Sequence, residues 1–281
     1  MSLYVLFDIG NTRLKWAVVE SHQNPIDRNK KLWLYSGAID TKLLHSPEHS
    51  AELAHYILQT VPKPDAIGVC CVAAEECITN LRHLLSQWSD VQWLRLMGDS
   101  PFSELRSLYE NPAQLGADRW AGVIAARTLS TANSLIVNAG TASTLDFLGA
   151  NAVHHGGWII PGLGLMQSSL SSNTARLPAT SQTEAINGFG LSTDAAIYKG
   201  CLAAQIGAIQ SALHTALEMR QPVDRIWIDG GNAKNLAAEL KQNNLFTAIS
   251  IEPINGLVLR GLWAWLLKEV RQLTHEYGQA D

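Results

Sequence analysis

The sequence predicts an α/β protein built from two similar halves, and three observations carry that expectation. Short apolar runs alternate with stretches of helical spacing along most of the 281 residues. A segment of the second half, VNAGTASTL, can be laid on FDIGNTRLK of the first, putting Asn138 on Asp8 and Gly140 on Gly10 at an offset of 130 residues. Three strand-like runs end in an Asp or Asn followed within two residues by Gly, at Asp8, Asn138 and Asp229.

The elements follow in order. Residues 3–7 are almost continuously apolar, the pattern of a strand buried on both faces. Leu14, Trp16 and Val18 then alternate with Arg13, Lys15 and Ala17 as a neighbouring strand would, joined to the first by Gly10-Asn11-Thr12. A third strand is expected at 31–35, followed by a helix that Ser46 caps and Pro47 starts, running towards Gln59. Residues 66–72 read as a buried strand, Ile78, Leu81, Leu84 and Leu85 as a helix face, and 91–96 as another strand. In the second half, strands are expected at 134–137, 143–148, 154–160 and 225–228. Helices are expected at 193–219, from about 233 to 242, and at 257–275.

Composition narrows the functional classes. With 47% hydrophobic residues the chain can bury one large core or two moderate ones. A formal net charge of -4 offers no general attraction for a polyanion, so nucleic acid is not an expected partner and any anion must be held by local geometry. The four cysteines, at 70, 71, 77 and 201, contain no C-x-x-C, which points to buried reduced thiols rather than a zinc knuckle or a disulfide framework. No basic leader precedes Asp8, and the apolar stretch 261–267 is too short to span a bilayer, so a cytoplasmic protein without membrane attachment is expected.

Glycine at a strand end lets backbone approach a ligand closely, and turn amides can bond phosphate oxygens. In the first turn Thr12 adds a hydroxyl, Lys15 a charge, and Asp8 an oxygen for Mg²⁺ or its waters. Gly140 and Thr141 could cover the other side of the phosphates, with Gly230 and Gly231 against an adenosine. A single D-x-G-N turn is ordinarily a hairpin connection; three in matching contexts favour a nucleotide site. No Walker loop, dinucleotide fingerprint, G-x-S-x-G or H-E-x-x-H occurs. Gly116-Ala117-Asp118-Arg119-Trp120 opens a helical pattern, where Asp118 either complements the helix dipole or accepts a proton from a substrate hydroxyl beside Arg119. The pair His154-His155 reads as one buried and one exposed ring on a strand, and the nine scattered Trp as core or interface residues.

The set DIGNTRLKW, GADRW, NAGTASTLD, GGWIIPGLGLM and IDGGNA, in this order, closely resembles the type III pantothenate kinases of bacterial coenzyme A synthesis. The resemblance spans Asp8 to Ala233. It implies a duplicated actin-like ATPase (ribonuclease H-like) architecture, each half a mixed sheet flanked by helices, with halves at 1–131 and 132–281. It implies that ATP and pantothenate are the substrates, with Mg²⁺ and a monovalent cation, K⁺ or NH₄⁺, as cofactors. Asp8, Ile9, Gly10, Asn11, Thr12, Arg13, Leu14 and Lys15 then form the first phosphate loop, and Gly140 and Thr141 the second. Gly230 and Gly231 complete the ATP site. Asp118 becomes the proton acceptor, and Tyr109, Gly116, Ala117, Asp118, Arg119 and Thr183 the pantothenate contacts. The resemblance also implies a homodimer. Asn138 departs from the family's D-x-G-T motif: an amide oxygen can hold K⁺ without contributing negative charge, so the cation's hold is expected to weaken. Alternatives are an accessory regulator that no longer turns over and a related kinase for another small molecule.

Overall fold

The computed structural model describes residues 2–27, 32–173, 188–243 and 246–277. The described chain forms two compact units. The first draws on Met1–Leu105, Tyr109–Leu129 and Leu257–Asp281, the second on Arg106–Leu108 and Ser130–Gly256.

In the first unit the sheet contains β1 (Leu3–Ile9), β2 (Arg13–Glu20), β3 (Tyr35–Asp40), β4 (Ala66–Cys71) and β5 (Gln92–Leu96), in spatial order β3-β2-β1-β4-β5. β1 runs antiparallel to β2 and parallel to β4. Helices cover both faces, which is why β1 and β4 show continuous burial instead of alternation. On one face Val5, Phe7, Ile67 and Val69 pack with Leu53 and Ile57 of α1 (Pro47–Thr60) and Ile78 and Leu81 of α2 (Glu75–Leu84). Each such side chain, fully buried, contributes about 1.5–3 kcal/mol. On the other face lie α3 (Ala117–Leu129) and α7 (Leu257–Tyr277), with Leu262 and Leu266 of α7 seated over Gly68.

The second unit repeats this plan. Its strands are β7 (Ser134–Ala139), β8 (Ala142–Leu148), β9 (Val153–Pro161), β10 (Arg225–Asp229) and β11 (Ser250–Pro253), with β6 (Arg106–Ser107) added at one edge, in order β11-β10-β7-β8-β9-β6. β7 is antiparallel to β8 and parallel to β10, as β1 is to β2 and β4. The core combines Leu135, Val137, Ile226 and Ile228 with Leu202, Ile206 and Ile209 of α5 (Thr193–Glu218) and Leu236 and Leu240 of α6 (Ala233–Gln242). α4 (Leu163–Asn173) follows β9.

The third strand is not at 31–35. It is β3, Tyr35–Asp40, and Lys31 lies outside the described residues. Ser46 precedes α1, yet its hydroxyl bonds His49 Nδ1 at 2.9 Å and caps no amide of the helix. α7 packs within the first unit, whereas the expected halves put it with the second. All four cysteines are buried and free, and no helix of the described residues is long and apolar enough to cross a membrane.

Candidate active site

The first turn, between β1 and β2, is a tight hairpin: the Gly10 N–H donates to the Arg13 carbonyl at 3.0 Å. That amide is therefore engaged inside its own turn, and Asn11, Thr12 and Arg13 form the exposed tip. Ile9 and Leu14 are fully buried beneath it, so their side chains serve the core. Buried Thr41, just after β3, pins the turn from below. Its hydroxyl donates to the Gly10 carbonyl at 2.7 Å and its N–H to the Thr12 carbonyl at 2.9 Å. Asp8 is 6% exposed, and Lys15 Nζ lies 3.7 Å from its Oδ2. An all-oxygen set of one carboxylate with the Thr12 hydroxyl nearby in sequence fits a hard cation that keeps waters and phosphate oxygens as its other ligands.

Asp118 is the second residue of α3, where its carboxylate accepts the Arg119 N–H at 2.8 Å. It folds back over Gly116, where a Cβ would stand 2.7 Å from Asp118 Oδ1. Helix complementation and a chemical role are thus compatible. Arg119 is 6% exposed and donates to the Tyr109 hydroxyl at 2.6 Å, its guanidinium 5.4 Å from that ring. Ala117 is buried at the helix start. Burial, then the charges of Asp8 and Asp118, push the Cys70 thiol well above the ordinary thiol range. Asp8 is the register partner of Cys70 between β1 and β4. Thr183 lies outside the described residues.

The second unit holds its own set. Gly140 N–H donates to the Ala142 carbonyl at 3.2 Å, closing a turn one residue shorter than the first, and Thr141 is exposed at its tip. The Gly162 N–H reaches the Thr141 carbonyl at 2.9 Å just before α4 begins. Asn138 is half-buried and paired in register with Asp229 of β10. The Asp229 carboxylate, 5% exposed, accepts the Gly230 N–H at 2.7 Å. Gly230 has φ +103° and backs onto Ala139, where a Cβ would be 2.5 Å from the carbonyl oxygen; only glycine fits both conditions. Gly231 follows, exposed, at the entry to α6.

His154 is fully buried and half-buried His155 faces the other way, as adjacent strand residues do. His154 sits 2.9 Å from both Asp146 Oδ1 and Ser107 Oγ, which ties β6 to β9. Three residues of the first site had no signature in the sequence: Thr41, Cys70 and Gly98. A Cβ on Gly98 would lie 2.0 Å from the Leu115 carbonyl oxygen, so the turn after β5 supports the loop that leads through Gly116 into α3.

A twice-repeated five-strand order with ligand-sized turns at the ends of β1, β7 and β10 defines an actin-like ATPase fold. Two solved structures share it: a Campylobacter jejuni protein described as a Baf family transcriptional activator, and the ethanolamine utilization protein EutJ of Carboxydothermus hydrogenoformans. The first has TM-score 0.59 at 19% identity, covering 95% of this chain and 99% of the other. The second has TM-score 0.55 at 12% identity, covering 95% and 90%. Residues 4–215 match the family model of type III pantothenate kinase. The chain is also 34% identical over 260 residues to the type III pantothenate kinase of Aromatoleum aromaticum, covering 92% of this chain and 96% of that one. The chain belongs to the type III pantothenate kinase family.

Proposed function

We propose that this chain transfers the γ-phosphoryl group of ATP to the primary hydroxyl of pantothenate, the step that opens coenzyme A synthesis. Family membership supports the reaction. The observation that supports the chemistry is the start of α3, where Asp118 is followed by a buried Arg119 held on the Tyr109 hydroxyl at 2.6 Å. The exposed tip Asn11, Thr12 and Arg13, with Lys15, binds phosphate oxygens in the first unit while Ile9 and Leu14 only support the turn, Gly140 and Thr141 bind phosphate in the second, and Gly230 and Gly231 lie against the adenosine. Tyr109, Gly116, Ala117 and Arg119 hold pantothenate, with Thr183.

Asp118 accepts the hydroxyl proton as oxygen attacks phosphorus in line. The transition state is loose, so positioning and charge neutralisation by Lys15 and the turns outweigh the base. Mg²⁺, held through Asp8 and its waters, would supply further neutralisation. Asn138 is read as a weakened ligand for K⁺ or NH₄⁺. The protein is read as cytoplasmic and as a homodimer, the second reading supported by the exposed apolar side chains of Trp158, Ile159, Leu165 and Leu170.

Asp118→Asn tests the base. The variant should fold and bind ATP normally while kcat falls by roughly 10²–10⁴-fold. Full activity in that variant would remove Asp118 from the reaction.

A further inference from the structure

A cavity of about 160 Å³ opens between α2 and β5 of the first unit, lined by residues including Val69, Glu75, Thr79, Arg82, Trp93 and Arg95. None of them belongs to the loop at 8–15 or to α3. Arg95 is the register partner of Val69, which packs on the α1 and α2 face, whereas Cys70 next to it projects to the opposite face. The cavity therefore opens on the face of the sheet opposite to the Cys70 side chain.

Two guanidinium groups meet there. Arg95 donates through Nη1 to both oxygens of Glu75, at 2.8 and 2.7 Å, while its Nε is closed off from solvent with no hydrogen-bond partner. That Nε is as closed to a ligand as to water, so the donors Arg95 offers are its terminal nitrogens, on a side chain 35% exposed. Arg82 stacks 5.1 Å over the Trp93 ring, which itself stacks on Phe7, and has no carboxylate partner among the described residues. Stacking fixes in place a charge that would otherwise sweep through solvent. The Thr79 hydroxyl donates to the Glu75 carbonyl at a long 3.4 Å and meets a ligand oxygen only by leaving that bond. Two cations face one carboxylate, so the lining is net positive.

We propose that this pocket binds a small tetrahedral oxyanion, phosphate or the phosphate of a monoester. Donors converge on it from α2 and β5, guanidinium forks match phosphate oxygens, and the cavity admits a phosphate with a few further atoms. Glu75 is the internal competitor, occupying the Arg95 fork until the anion arrives.

Isothermal titration of inorganic phosphate into the full chain, in zwitterionic buffer, tests this with two substitutions of opposite sign. Arg82→Gln should weaken one phosphate isotherm at least tenfold, as expected for losing a charge-assisted bond. Glu75→Gln should tighten that same isotherm at least threefold. Phosphate held by the turns at Gly10 and Gly140 would respond to neither change. Equal isotherms in wild type and both variants, or a shift of the same sign in both, would overturn the proposal. A parallel titration with glycerol phosphate identifies the source: tighter binding of the monoester points to a phosphorylated metabolite, tighter binding of inorganic phosphate to the free ion.

Discussion

Asp8 stands opposite Cys70 on the neighbouring strand, and burial first, then the charges of Asp8 and Asp118, push the Cys70 thiol well above its ordinary range. Its raised titration keeps it neutral and unreactive across the working pH range. Iodoacetamide at pH 8 should leave Cys70 unmodified in the folded protein and label it after denaturation; rapid labelling of the native state would contradict its burial. Arg119 and Tyr109 make a second test. Tyr109→Phe removes an acceptor from a buried guanidinium, so urea unfolding should register a loss of about 1.5–3 kcal/mol and KM for pantothenate should rise. Unchanged stability and KM would show that the 2.6 Å contact does no structural or binding work. Asp8 and Asn138 were legible in the sequence because an Asp or Asn shortly before glycine at a strand end recurs along the chain, whereas Asp118, in the first turn of a helix, stood out only through the GADRW resemblance. Thr41 and Cys70 were not legible, since one acts by bonding a turn 31 residues away and the other by standing opposite Asp8 on the neighbouring strand.

At the scale of elements, one close approach holds α3 where it presents Asp118. Gly261 of α7 crosses α3 so tightly that a Cβ would lie 1.8 Å from the Ala121 carbonyl oxygen. Backbone cannot yield as a side chain does, so Gly261→Ala should cost about 1–3 kcal/mol or more in urea unfolding; an equally stable variant would contradict the crossing. The strands buried on two faces were readable from their apolar runs. β3 was not, because Trp16 lies over Gly37, where a Cβ would meet the indole at 2.5 Å. A strand reading Tyr-Ser-Gly-Ala-Ile-Asp has no apolar alternation to detect. β6 and β11 escaped notice for a simpler reason, being two and four residues long. The placement of α7 in the first unit depends on Gly68 and Gly261, contacts that no local pattern encodes.

Over the whole molecule, the short match of FDIGNTRLK with VNAGTASTL becomes a repeated topology, β3-β2-β1-β4-β5 in the first unit and β9-β8-β7-β10-β11 in the second. The repeat makes Asp8 and Asn138 equivalent positions with different charge. Asn138→Asp would add a carboxylate next to Asp229 and should increase activation by K⁺. An identical K⁺ response in both proteins would disconnect position 138 from the cation. The most direct test of the central reading is product formation. Purified protein given Mg²⁺, ATP, pantothenate and saturating K⁺ should yield phosphopantothenate and ADP in equal amounts, measured by mass spectrometry. ADP without phosphopantothenate, or no turnover at all, would contradict it.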